Sequence, residues 1–159
     1  MFKKICFYFF ILITCLFFIN YNYNNINFPI KLKKPNNYYY TNLVIKNIIN
    51  ETNYKCSIID TNFYKEKTLS KEEIAIVKKF LLNLNKNNFI KNPKNINKKP
   101  LYKLFFTFKD EKYIINIYNK DICSIYPWDG YYNMDFINIS NIPISYNLYN
   151  LCKYIIPRD

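Results

Sequence analysis

The sequence predicts an α+β fold, an antiparallel β-meander of about four strands with two amphipathic helices packed on one face, behind an N-terminal hydrophobic anchor. Three observations lead there. Tyr102, Leu104, Phe106 and Phe108 alternate with Lys103, Thr107 and Lys109 at the period of a half-buried strand. Ile74, Val77, Phe80, Leu81 and Leu84 recur at helical spacing. The first nineteen residues carry two lysines and then an unbroken apolar run.

The leader comes first in the chain. Lys3 and Lys4 precede Ile5 to Ile19 (ICFYFFILITCLFFI), and Asn20 restores polar character. A basic start followed by an apolar stretch directs a chain to a membrane. The run is shorter than the ~20 residues that usually span the hydrocarbon core. A cleaved signal needs small residues before the cut, yet the first serine is Ser57 and the only alanine is Ala75. Residues 1–20 are therefore read as an uncleaved signal anchor, with Tyr21 and Tyr23 at the interface. The alternative is a lipoprotein signal ending at Cys15, within Leu12-Ile13-Thr14-Cys15. Thr14 suits that reading poorly, as do the apolar residues after Cys15. Lys3 and Lys4 lie closest to the run and place the N-terminus in the cytoplasm and the domain outside, in the cell membrane. A lipid-anchored or secreted form is the alternative location.

Residues 21–40, rich in Asn and Tyr with Pro29 and Pro35, read as a tether, and residues 41–159 as a single extracytoplasmic domain. Leu43 to Ile49 fit a short helix or a strand. Lys55 to Tyr64 reads as a strand turning at Asp60-Thr61-Asn62. Ser70 and Glu73 form a capping box for a helix over 71–84. Asn85 to Pro100 holds five lysines and no acid, and reads as a solvated connection. The meander follows, with strands at Leu101–Lys109, Lys112–Tyr118, Ile122–Tyr126 and Met134–Ile139. A closing helix is expected from an Asn141 cap with Pro143 in its first turn, presenting Ile144, Leu148, Leu151, Cys152 and Ile155 on one face.

The net charge of +12 invites a nucleic-acid reading. Two facts weigh against it. Asn, Lys, Ile, Tyr and Phe are abundant together, as A/T-rich codons dictate, and Arg158 is the only arginine, the residue best suited to phosphate and guanine. The expected partners are the membrane and an envelope protein, glycan or anionic cell-wall polymer, not nucleic acid. The polyanion contact, if one exists, would be Lys91, Lys94, Lys98 and Lys99.

The chain has no histidine and no CxxC, so Cys/His zinc sites, triads and Cys–His nucleophiles are excluded. One glycine cannot build a phosphate loop. Neither a metal nor a cofactor is expected, and the domain is not expected to be an enzyme. Cys56, Cys123 and Cys152 form at most one disulfide and fit better as small core residues. The remaining constellation is Tyr126-Pro127-Trp128-Asp129-Gly130-Tyr131-Tyr132, with the only tryptophan and the only glycine. It is a hairpin loop, or a platform on which Trp128, Tyr131 and Tyr132 present flat faces and Asp129 orients a hydroxyl or amine. A second reading is a small glycan-directed hydrolase using Asp129 or Asp135.

YIINIYNKDICSIYPWDG and FINISNIPISYNLYNLCKYIIPR resemble a family of small clostridial lipoprotein-like proteins that carry a domain of unknown function. The resemblance covers roughly residues 40–159. It implies an extracytoplasmic bacterial domain tethered to the membrane, and no activity. The function expected is a membrane-tethered binding or structural module, with the hydrolase and a lysine-driven polyanion or nucleic-acid binder as alternatives.

Overall fold

The structure is a computed structural model that describes residues 12–14, 34–94, 96, 99–129 and 133–158. The chain divides into two compact units, Met1–Lys33 and Lys34–Asp159. In the first unit the described residues 12–14 are helical. The rest of the anchor, Cys15 and residues 21–33 of the expected tether lie outside the described residues. Among the described residues no helix is long and apolar enough to cross a membrane.

The second unit begins α1 (Tyr39–Asn50), β1 (Lys55–Asp60), β2 (Glu66–Thr68), α2 (Lys71–Leu82) and β3 (Phe89–Ile90). It continues β4 (Tyr102–Thr107), β5 (Lys112–Ile117), β6 (Ile122–Pro127), β7 (Asp135–Asn138) and α3 (Leu148–Ile155). The strands form one antiparallel sheet in the order β2-β1-β4-β5-β6-β7-β3. The α+β class matches the expectation, but the described sheet has seven strands rather than about four, and three helices cover it rather than two. The additions have local causes. Leu43 to Ile49 resolves as helix because Tyr40, Val44 and Ile48 sit one turn apart and are all buried. The lysine-rich connection contains β3, an edge strand of two residues that pairs with β7. So short a strand has no periodicity to detect.

The sheet has two unlike faces. One row pairs Cys56 with Phe106 and then Tyr113, the next Ile58, Leu104, Ile115 and Ile125, the third Tyr102, Ile117, Cys123 and Ile137. All of these are buried, in one core with Val44 and Ile48 of α1, Val77, Phe80 and Leu81 of α2, and Leu148, Leu151, Cys152 and Ile155 of α3. Each fully buried Leu, Ile or Phe contributes roughly 1.5–3 kcal/mol. Cys56, Cys123 and Cys152 are free, buried thiols, and burial raises the pKa of each.

Helix ends explain the remaining differences. Ser70 accepts from the Glu73 amide and Glu73 accepts from the Ser70 amide, completing the expected capping box. The helix stops at Leu82, two residues short of the expected 84. The last helix starts later than expected. Pro143 leads into a 3-10 turn, Ile144–Tyr146, and Ile144 is exposed rather than part of the apolar stripe. Asn147, not Asn141, caps α3: its Oδ1 accepts from the backbone amides of Tyr149 and Asn150 while its Nδ2 donates to Ile139 O.

Candidate functional site

The face of the sheet turned away from this core carries the chemistry. Alternation puts Lys55, Ser57 and Ile59 of β1 on it, with Lys103, Phe105 and Thr107 of β4 and Lys112, Ile114 and Asn116 of β5. Register then builds rows across strands. Lys55, Thr107 and Lys112 form one row, which the Trp128 amide extends by donating to Lys112 O. Ser57, Phe105, Ile114 and Tyr126 form the next, and Ile59, Lys103, Asn116, Ser124 and Phe136 the third.

Lys112 links two rows. Its ammonium lies 5.3 Å from the centre of the Phe105 ring and 4.9 Å from that of Trp128. A cation between two aromatic faces is held by both ring quadrupoles. Trp128 stays 57% exposed, so its indole offers a flat surface to solvent. Asp129 beside it is exposed. Gly130, Tyr131 and Tyr132, the other members of the expected platform, lie outside the described residues. At the centre of the same face Asn116 is buried; its Oδ1 has no hydrogen-bond partner among the described residues, while its Nδ2 donates to Tyr118 Oη at 3.3 Å.

Toward the β2 edge the face sinks into a trough. One part, of about 530 Å³, is floored by Ile59 and Phe105 and walled by Thr61, Tyr64, Pro100, Lys99 and Lys103. An adjoining part of about 350 Å³ shares Ile59 and Phe105 and adds Lys55, Ser57, Glu66, Thr68 and Lys112. Tyr64 holds φ at +54°, a left-handed conformation unusual for an aromatic residue. Of the lysines expected as a polyanion contact, Lys91 and Lys94 are exposed on the connection, Lys99 lines the trough, and Lys98 lies outside the described residues.

Asp135 belongs to the opposite face and is fully buried. Its Oδ1 accepts from Lys34 Nζ at 2.7 Å, and its Oδ2 from the Thr41 amide at 2.8 Å and Thr41 Oγ1 at 3.0 Å. Tyr38 gives α1 no side-chain cap, so a carboxylate from β7 serves its first turn from 94 positions away. Burial pushes the Asp135 carboxyl above its ordinary value, against the pull of Lys34 and Thr41. Asp60 is the second buried acid. Its Oδ1 accepts from the amides of Asn62 and Phe63, and its Oδ2 pairs with Arg158. The Arg158 guanidinium lies 4.6 Å from the Tyr102 ring centre and also donates to Leu101 O. Burial alone would raise the Asp60 carboxyl, but Arg158 and the two amides hold it below the usual range. Among the described residues no group of three or more Cys, Asp or Glu is placed to hold a metal ion.

Sequence reasoning singled out Trp128 and missed the trough. Ile59 and Phe105 are apolar residues at solvent-face positions of strands whose other face is core. Each looks unremarkable alone. The signal is their adjacency, which appears only once β1 is paired with β4.

An antiparallel sheet with helices on one face serves many unrelated functions, so the fold by itself assigns none. Residues 34–152 match the family described as "Domain of unknown function (DUF4883)", and the chain belongs to that family. It is also similar to a solved structure, described as "Crystal Structure of Putative Lipoprotein from Clostridium perfringens", at 34% identity and a TM-score of 0.70. That match covers 79% of this chain and 99% of the solved one. No curated protein matches the chain.

Proposed function

We propose that the chain is a non-enzymatic, extracytoplasmic binding module held at the cell membrane by its leader, with the exposed Trp128 end of the second sheet face as its contact surface. The exposed indole of Trp128, fixed against Lys112 beside Phe105, carries this reading. Tethering is supported by the basic, apolar leader and by the lipoprotein description of the clostridial relative. The N-terminus would stay in the cytoplasm and the domain outside. That description also favours a second form of the tether, a lipid on Cys15. The partner would be an envelope protein, glycan or anionic wall polymer, met by Trp128 and Asp129 with Tyr131 and Tyr132.

The hydrolase alternative loses support from Asp135, whose oxygens are engaged by Lys34 and Thr41 on the core side of the sheet. The nucleic-acid alternative rests on Lys91, Lys94, Lys98 and Lys99 and on charge alone.

Cosedimentation with cell walls of the host tests the contact. Residues 34–159 suffice, since the solved relative is almost entirely the matching portion. Trp128→Ala should weaken binding about tenfold or more, the effect of losing an exposed aromatic anchor, and leave the melting temperature unchanged. Equal sedimentation of the two proteins would contradict the reading.

A further inference from the structure

We propose that the Ile59–Phe105 trough binds a small amphiphilic anion: a flat or aliphatic body carrying one carboxylate, sulfonate or phosphate. The proposal rests on the reading of the domain as a binding module but not on the Trp128 contact.

The floor comes first. Ile59 and Phe105 lie on neighbouring strands, half-buried and diagonal to one another across the pairs Ser57–Phe105 and Ile59–Lys103. Two large apolar side chains meet here on the solvent side of the sheet, under no described helix. Pro100 and the Tyr64 ring extend this apolar surface upward. The space above it, about 530 Å³ with an adjoining 350 Å³, is of the size that small-molecule sites use.

The rim then sets the sign of charge. Lys99 and Lys103 line the larger part, and Lys55 and Lys112 the smaller. Glu66 is the one acid lining either part, and it is exposed at the edge strand. Neither Lys55 nor Lys103 makes an ion pair with a described residue, for the described ion pairs are Lys34–Asp135 and Arg158–Asp60. Lys103 is half-buried and Lys55 exposed, and an ammonium beside an apolar floor gains most from an anion that also covers the floor, because water then leaves both. Hydroxyls of Ser57 and Thr68 are placed in the smaller part to orient the anion's remaining oxygens. A neutral apolar molecule would take water from Lys55 and Lys103 without offering them an anion, and a bare anion would leave Ile59 and Phe105 wet. The combination selects an amphiphile.

The test uses two fluorescent probes with the same rings, anilinonaphthalene sulfonate and the uncharged phenylnaphthylamine, on residues 34–159. The sulfonate should bind saturably at one site, raise the melting temperature, and bind about tenfold more tightly than the neutral probe, the worth of one charge-assisted contact. Lys103→Glu should weaken the sulfonate about tenfold or more at unchanged melting temperature, a larger loss than that of Trp128→Ala, which reaches the trough only through Lys112. Should Lys103→Glu fail to fold, Lys103→Gln carries the same comparison with a smaller loss. Equal affinity for the two probes, or undiminished sulfonate binding by a folded Lys103 variant, would overturn the proposal. So would Lys103-dependent cosedimentation with phosphatidylglycerol vesicles in place of probe binding, which would assign the trough to a lipid surface. Loss of wall binding in Trp128→Ala reports on the platform alone, so the two ideas can fail separately.

Discussion

Two buried acids with opposite pH behaviour tie the ends of the domain to its sheet. Asp60 has a lowered pKa, so its ionised form is favoured by folding. Its stabilising contribution is present above the ordinary carboxylate pKa of about 3.9 and is lost as pH falls through the lower folded value. Asp135 has a raised pKa, so its contribution is largest below the ordinary value and declines as pH rises through the folded one. Arg158→Met should leave Asp60 buried without its cation. The loss in neutral stability should be about 3–5 kcal/mol, and the melting temperature of the variant should fall less than that of the wild type on acidification from pH 5 to about 3. Parallel pH profiles would show that Arg158 does not set the Asp60 pKa. Asp135→Ala should likewise cost about 3–5 kcal/mol in urea unfolding at neutral pH, since it strands Lys34 and uncaps α1. A loss under about 1 kcal/mol, the scale of an exposed pair, would contradict that role. Neither acid's partner could be named from sequence. Asp60 was legible as a turn residue, but Arg158 lies 98 positions away and Lys34 lies 101 from Asp135.

Elements were legible where their signal is local. The Ser70–Glu73 box fixed the start of α2, and alternation of Tyr102, Leu104 and Phe106 gave both β4 and its buried face. Ser70→Ala should therefore cost about 1 kcal/mol, with the first-turn amides of α2 exchanging faster with deuterium. Unchanged stability would mean that packing of Val77, Phe80 and Leu81 alone holds the helix. Where signals were shared or too short, reading failed for physical reasons. Val44, Ile45, Ile48 and Ile49 are β-branched and suit a strand locally; the core contacts of Tyr40, Val44 and Ile48 and the Asp135 cap make them a helix. At the C-terminus Asn141-Ile142-Pro143 has every local feature of a helix start, yet Asn147 wins because its side chain bonds to Ile139 as well as to the helix.

At the scale of the molecule, one face of the sheet is covered by helices and the other carries the trough and Trp128. The central strand β5 shows the division: Tyr113, Ile115 and Ile117 enter the helix-covered core, while Lys112, Ile114 and Asn116 lie on the second face, where Lys112 is half-buried and Ile114 and Asn116 are buried. The candidate site followed the same division. Trp128 stood out in sequence as a unique residue, whereas the trough is assembled by pairing β1 with β4 and has no sequence signature. The family match and the clostridial relative agree with the expected resemblance to clostridial lipoprotein-like proteins that carry a domain of unknown function. The central claim is location: a folded body outside the cell, joined to the membrane by its leader. Protease treatment of intact host cells, followed by mass measurement of what remains in the membrane, tests it most directly. The account predicts release of the domain without lysis and a retained N-terminal piece at its encoded mass, or heavier by a lipid if Cys15 is modified. Full-length protein recovered from the cytosol, resistant to protease until the cells are broken, would contradict it.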